Sequence, residues 1–182
     1  LMTRTIRNKS LLAAIVSVIL ASPASFAETA GEYIDDTTVG TMTKAALVDN
    51  ETVSALDINV EVYKGNVQLS GFVESEAQKD AALATAGKVE GAKKVLDAIV
   101  VLPGSRSMGE AVDDTTIQAK LKAGLANVQG MGDAVAINTW VRHGHVLLAG
   151  FVDSDSVKAA AGKVASGIEG VKKVHNHIAI KH

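Results

Sequence analysis

Apolar and polar positions follow two different periods along this chain, and the same succession of periods occurs twice. Ile58, Val60 and Val62, then Val67 and Leu69, fall at every second place on either side of Lys64-Gly65-Asn66. Period two interrupted by turn formers predicts a β-hairpin. Ile137, Thr139, Val141, Val146 and Leu148 repeat the pattern. Ahead of the second hairpin, Ile117, Leu121 and Leu125 recur every four residues, the spacing of one buried stripe on a helix. The matching stretch of the first half is weaker, with Gly40 and Thr43 where the second has Gln118 and Leu121.

The flanking residues predict the ends of these elements. Asp35-Asp36-Thr37-Thr38 and Asp113-Asp114-Thr115-Thr116 offer side-chain oxygens to the unpaired N–H groups of a first helix turn, so the first helix of each half is expected to open there. Ser75 with Gln78 reads as a capping box for a second helix, and Ser154 ahead of Val157 starts its counterpart. These second helices are rich in alanine (Ala81, Ala82, Ala84, Ala86; Ala159, Ala160, Ala161), which permits close approach to a sheet. Gly91 and Gly170 suit left-handed C-terminal caps, before final strands expected over Val95–Val101 and Val174–Ile180. Each half therefore spells helix, strand, strand, helix, strand. The expected fold class is α+β, with a three-stranded sheet carrying two helices on one face.

The repetition is also visible residue by residue. Asp35-Asp36-Thr37-Thr38-Val39 recurs as Asp113-Asp114-Thr115-Thr116-Ile117 at a spacing of 78, and Gly65 to Val73 recurs as Gly144 to Val152 at 79. The extra residue is assigned to the loop Gly130-Met131-Gly132. Two copies of this period are too few and too long for a solenoid and indicate a duplicated small domain. The expected boundaries are 33–102 for the first domain and 111–182 for the second, with a linker at 103–110 whose Pro103-Gly104-Ser105-Arg106-Ser107 lacks any apolar period.

Residues 1–27 read as an export signal. Arg4, Arg7 and Lys9 precede the apolar run Leu11 to Leu20, and Ser25-Phe26-Ala27 predicts cleavage after Ala27. Ten apolar residues make about 15 Å of helix, against a hydrocarbon core of about 30 Å, so a retained span is disfavoured. The signal holds three of the 18 basic and none of the 20 acidic residues, which leaves 155 residues of net charge −5 with His neutral. That balance argues against nucleic acid as a partner. There is no cysteine, which excludes disulfides, thiol catalysis and an acylated N-terminal cysteine.

With these residues in place the chain resembles the BON domain family. The resemblance rests on the αββαβ order, the Asp-Asp-x-x-Val/Ile helix start, the Val-x-Leu-x-Gly-x-Val strands at 67–73 and 146–152, and the Glu-Gly-x-Lys-Lys-Val turns. It covers nearly all of residues 33–181 and occurs twice in order. It implies a non-catalytic periplasmic protein linked to osmotic and envelope stress that attaches to phospholipid surfaces, with an alternative role in binding unfolded exported proteins. The family's glycines map onto Gly71, Gly91, Gly150 and Gly170, whose plain reading is backbone geometry.

Candidate chemistry is sparse. The chain has no Gly-x-Ser-x-Gly, Gly87-Lys88 lacks the upstream glycine of a phosphate loop, and Gly130-x-Gly132 lacks a third glycine. The paired aspartates are better explained as helix caps than as acid/base carboxylates. No catalytic residue, cofactor or metal site is assigned. All five histidines lie in the second copy, and strand alternation puts His145, His175 and His177 on the outer sheet face, where surface histidines are favoured over a zinc or copper site. The same outer faces carry Trp140, Leu147 and Phe151, and Tyr63, Phe72, Leu96 and Val100, so the two sheets are expected to cover each other or a dimer partner, with a surface for unfolded client proteins as the alternative. The candidate lipid-contact surface is Lys120 and Lys122 on the first helix of copy two, with Met131 in the nearby loop.

Overall fold

The structure, a computed structural model, describes residues 35–105, 107–128 and 137–182. The export-signal reading and Met131 fall outside them. In the first copy, helix α1 (Asp36–Val48) is followed by a 3-10 turn (Ala55–Asp57), strands β1 (Ile58–Tyr63) and β2 (Asn66–Val73), helix α2 (Glu76–Ala86) and strand β3 (Lys94–Val101). The second copy repeats this as α3 (Met108–Leu125), β4 (Ile137–Arg142), β5 (His145–Val152), α4 (Asp155–Ser166), β6 (Lys173–Asn176) and β7 (Ala179–Ile180). The middle strand of each sheet, β2 or β5, runs antiparallel to its hairpin partner and parallel to the last strand. The expected α+β fold, twice over, is the one observed.

Helices cover one face of each sheet because the odd and even strand residues differ. In the second copy Val146, Leu148 and Val152 of β5 pack with Ile117, Leu121 and Leu125 of α3 and Val157, Ala161 and Ala165 of α4. Small residues let the layers approach closely, and a Cβ on Gly124 of α3 would lie 2.6 Å from Val164 of α4. In the first copy Thr43 takes the place of Leu121 in the buried stripe Val39-Thr43-Leu47. Its hydroxyl donates to the Val39 carbonyl at 2.7 Å, so the buried polar group is satisfied within its own helix.

Three terminal assignments change. Asp35 caps α1 as expected, accepting the Thr38 N–H at 2.9 Å, but α3 does not open at Asp113-Asp114. It starts at Met108, capped by Ser107 and Glu110 in a reciprocal box, which leaves both aspartates inside the helix. Ser75 caps α2, yet Gln78 returns to the N–H of Glu74 rather than to that of Ser75. Gly91 and Gly170 do not cap helices either. α2 and α4 stop at Gly87 and Gly167 in right-handed conformation, and the positive φ values of Gly91 (85°) and Gly170 (92°) fall in the following turn, where the chain reverses into its last strand.

The last strand of copy two is interrupted where that of copy one is continuous. Leu148 pairs with Asn176 and Phe151 with Ala179, the same sequence offset on both sides, so no residue is inserted. Only the ladder between them is open.

The two sheets face each other inside one compact unit, Asp35–His182. Outer-face residues Gln68, Ser70 and Phe72 of β2 and Leu147, Ala149 and Phe151 of β5 are all buried. The Tyr63 and Phe151 rings lie 5.6 Å apart, Asn138 donates to Glu61 at 2.9 Å, and Arg142 pairs with Glu74 at 3.2 Å. A sheet with helices on one side and apolar residues on the other needs cover for that far side, and each domain supplies it to the other.

Candidate functional site

Helix α3 and the hairpin turn beneath it form the most developed surface of the second copy. The turn His143-Gly144 has φ values of 53° and 76°, and Lys64-Gly65 matches it with 51° and 79°. Both are two-residue loops with two left-handed positions, which the second-place glycine makes inexpensive. Their exposed N–H groups are taken by a helix aspartate. Asp114 accepts from His143 and Gly144, both at 2.9 Å, and Asp36 accepts from Lys64 at 2.6 Å and Gly65 at 2.8 Å. The second aspartate of each Asp-Asp pair therefore pins a hairpin to the first helix. Sequence reasoning assigned it to capping because a cap is a local contact and this one spans some 30 residues.

Beside this turn lies a cleft of about 410 Å³, lined by residues that include Glu110, Asp113, Lys120, His143, Glu169 and Lys172. The Glu110 carboxylate accepts from the Ser107 backbone and hydroxyl and sits 3.2 Å from His143 Nδ1. Those hydrogen bonds, the Ser107 backbone first, bring its pKa down from 4.5 to about 2. The carboxylate is thus committed as an acceptor and unsuited to proton donation.

Lys120 and Lys122 are both exposed, as expected, but α3 places them on opposite flanks. At about 100° per residue, the arc between them carries Met108, Val112, Thr115, Thr116, Ala119 and Ala123. Met108 is 89% and Val112 67% exposed. The first two residues of this ridge were not found from the sequence, because they fall in or beside the stretch assigned to the linker. The signal was present as Ser107-x-x-Glu110 with Met108 and Val112 four apart.

Of the three outer-face histidines, two meet. His145 Nδ1 and His175 Nε2 lie 3.2 Å apart with the rings stacked, and His175 stands edge-on to Phe72 of the first copy. His177 is exposed. Burial holds His145 below its ordinary pKa, helped by Lys173 and Lys172, and brings His175 to about 4, helped by Lys173. Among the described residues no three His, Asp or Glu side chains are grouped to hold a metal ion.

The four glycines carried by the resemblance all have positive φ, 152° at Gly71 and 121° at Gly150 besides the turn glycines above. At Gly71 the reason is steric, since a Cβ would come within 1.9 Å of the Asp57 carbonyl oxygen.

The BON domain family model matches residues 35–103 and again 113–182. Osmotically-inducible protein Y of Escherichia coli (strain K12) is 31% identical over 99% of this chain and 99% of its own length. Outer membrane lipoprotein DolP of Haemophilus influenzae is 31% identical over 96% of this chain and 90% of its own. Among solved structures, the C-terminal domain of CdsD, a structural protein of the type III secretion system of Chlamydia trachomatis, aligns with a TM-score of 0.33 and 17% identity, covering 82% of this chain and 68% of that one.

Proposed function

The chain belongs to the BON domain family, and from that footing we propose that it is a non-catalytic protein of the bacterial envelope that binds anionic phospholipid surfaces through α3. The observation that carries this reading is the solvent-facing ridge Met108, Val112, Thr115, Thr116, Ala119 and Ala123 with a lysine on each flank. A strip of apolar side chains and threonines between cations suits a helix lying in the plane of an interface, where the strip enters the headgroup boundary and the lysines extend to phosphates. Each lysine near an anionic surface contributes about 1 kcal/mol, enough to matter locally in a chain whose mature net charge is −5. Helix α1 offers less, since the one large apolar residue it exposes is Val48 at its C-terminal end.

Related names support the setting, one an outer membrane lipoprotein and one osmotically inducible. We place this chain in the periplasm, exported by residues 1–27, and mass spectrometry of the exported protein is expected to find Glu28 at its N-terminus. The alternative, binding of unfolded exported proteins, drew its surface from the outer sheet faces, and in this structure those faces cover each other.

Co-sedimentation with phosphatidylglycerol-containing vesicles tests the proposal. Replacing Lys120 and Lys122 by Glu should reduce retention markedly while leaving thermal unfolding nearly unchanged, since exposed substitutions usually stay within about 0.5 kcal/mol. Lys44→Glu on α1 should do much less. Equal retention of all three proteins, with suppression of client aggregation at near-stoichiometric ratios, would transfer the function to the alternative.

A further inference from the structure

The domain interface is pseudo-symmetric, and its two ends differ in chemistry. At one end Tyr63, Leu96 and Phe151 line a crevice with Ile180, next to Asn66. At the other, the positions matching Asn66 and Leu96 are His145 and His175. There His175 of the histidine pair stands edge-on to Phe72, and the adjoining crevice holds Trp140, Arg142 and Glu74. The first crevice is also lined by Lys94 and His182, and Lys64 and Lys181 lie over the Tyr63 ring, whereas the second end sets two imidazoles against each other.

We propose that the His145–His175 pair is an acid-sensitive latch, so that acidification opens this end of the interface while the Tyr63–Phe151 end stays shut. In the neutral pair one imidazole N–H donates to the lone pair of the other across 3.2 Å. A pair holding both extra protons has no acceptor left and sets N–H against N–H. The surroundings add to the repulsion. Strand pairing sets Arg142 of β4 and Lys173 of β6 on either side of His145. Lys172 and His143 act on His145 in the same sense, as His177 does on His175, and Asp114 of α3 opposes them weakly as the last and smallest influence. From the first copy come the neutral Phe72 ring, Glu74, which is paired with Arg142, and Asp57, which accepts from the Ser54 hydroxyl.

The sign follows from the depressed values. The closed end has its full stability above the ordinary histidine pKa of 6.5, and loses it as pH falls toward the His175 value of about 4. This inference does not depend on the lipid reading.

Trp140, the single tryptophan, lies at the latch and reports on it. Its emission in the full chain should move to the red between pH 6.5 and 4 while far-ultraviolet ellipticity stays constant, and the radius of gyration from X-ray scattering should rise over the same range. The variant His145→Asn with His175→Leu, which installs the residues of copy one, should hold both signals flat. His175→Gln alone should reduce the amplitude, and it serves if the double variant fails to fold. Wild-type emission and radius unchanged down to pH 4, or a folded variant that titrates like the wild type, would overturn the latch.

Discussion

Gln68 of the first domain accepts the backbone N–H of Gly150 in the second, at 2.5 Å. Its amide nitrogen also donates to the His177 carbonyl at 2.7 Å. By the register of β5 with β6 and β7, these are the two groups that an unbroken parallel ladder would join directly. The side chain of one domain thus takes over a rung of the other's sheet, which accounts for the break between β6 and β7. Replacing Gln68 by Leu, the residue at the matching position 147, leaves a buried N–H and C=O unpaired, and the loss of stability should be about 1–3 kcal/mol. Hydrogen exchange at the Gly150 amide should accelerate, and an unchanged protection factor would show that the clasp is idle.

Ser70, in the same interface, has a buried hydroxyl with no partner among the described residues. Its counterpart in copy two is Ala149. Ser70→Ala removes an unsatisfied group of about 1–3 kcal/mol desolvation cost, so chemical denaturation should show equal or greater stability than wild type.

Asp114 is 3% exposed and Asp36 is only partly covered, although each holds two turn amides. Asp114→Ala should cost about 3 kcal/mol and Asp36→Ala about 1 kcal/mol, because the unpaired amides of the first turn can reach water. Denaturant midpoints of the two variants check the order, and a reversed order would contradict the burial argument.

Gly71→Ala should prevent folding of the first domain, since the obstructing atom is the backbone oxygen of Asp57 and cannot rotate away. Gly109, in the first turn of α3, has open space where an alanine methyl would sit, with nothing within 4 Å. Gly109→Ala should therefore stabilise by about 0.4–1 kcal/mol, read as a rise in thermal midpoint.

Glu110 supports the start of α3 only while ionised. Its carboxyl is held at about 2, below the ordinary 4.5, so its contribution is complete above pH 4.5 and is lost as pH falls through about 2. Carboxyl chemical shifts should titrate near 2 in the wild type. In Ser107→Ala they should move back toward 4.5, with fraying of the Met108 turn.

Much of the fold was legible in the sequence because its signals act within one or two turns of chain. Asp35, Ser75 and Ser154 each bond an amide three residues away, and the four-residue and two-residue periods reflect helix and strand geometry that no distant contact alters. The start of α3 was legible too, in Ser107 and Glu110, but a stretch opening with Pro-Gly-Ser was assigned to linker. The role of Asp36 and Asp114 was not, since it depends on a hairpin arriving from the far end of the domain. Tertiary structure alone decided that the outer faces cover each other, that Gln68 fills the open rung of the second sheet, and that His145 and His175 meet against Phe72. The sequence pattern expected those faces to be covered by each other or by a dimer partner without choosing between them, because a surface of intermediate polarity is stable in water, on a partner or on its own duplicate, and only the complementarity of the two copies in space selects among them.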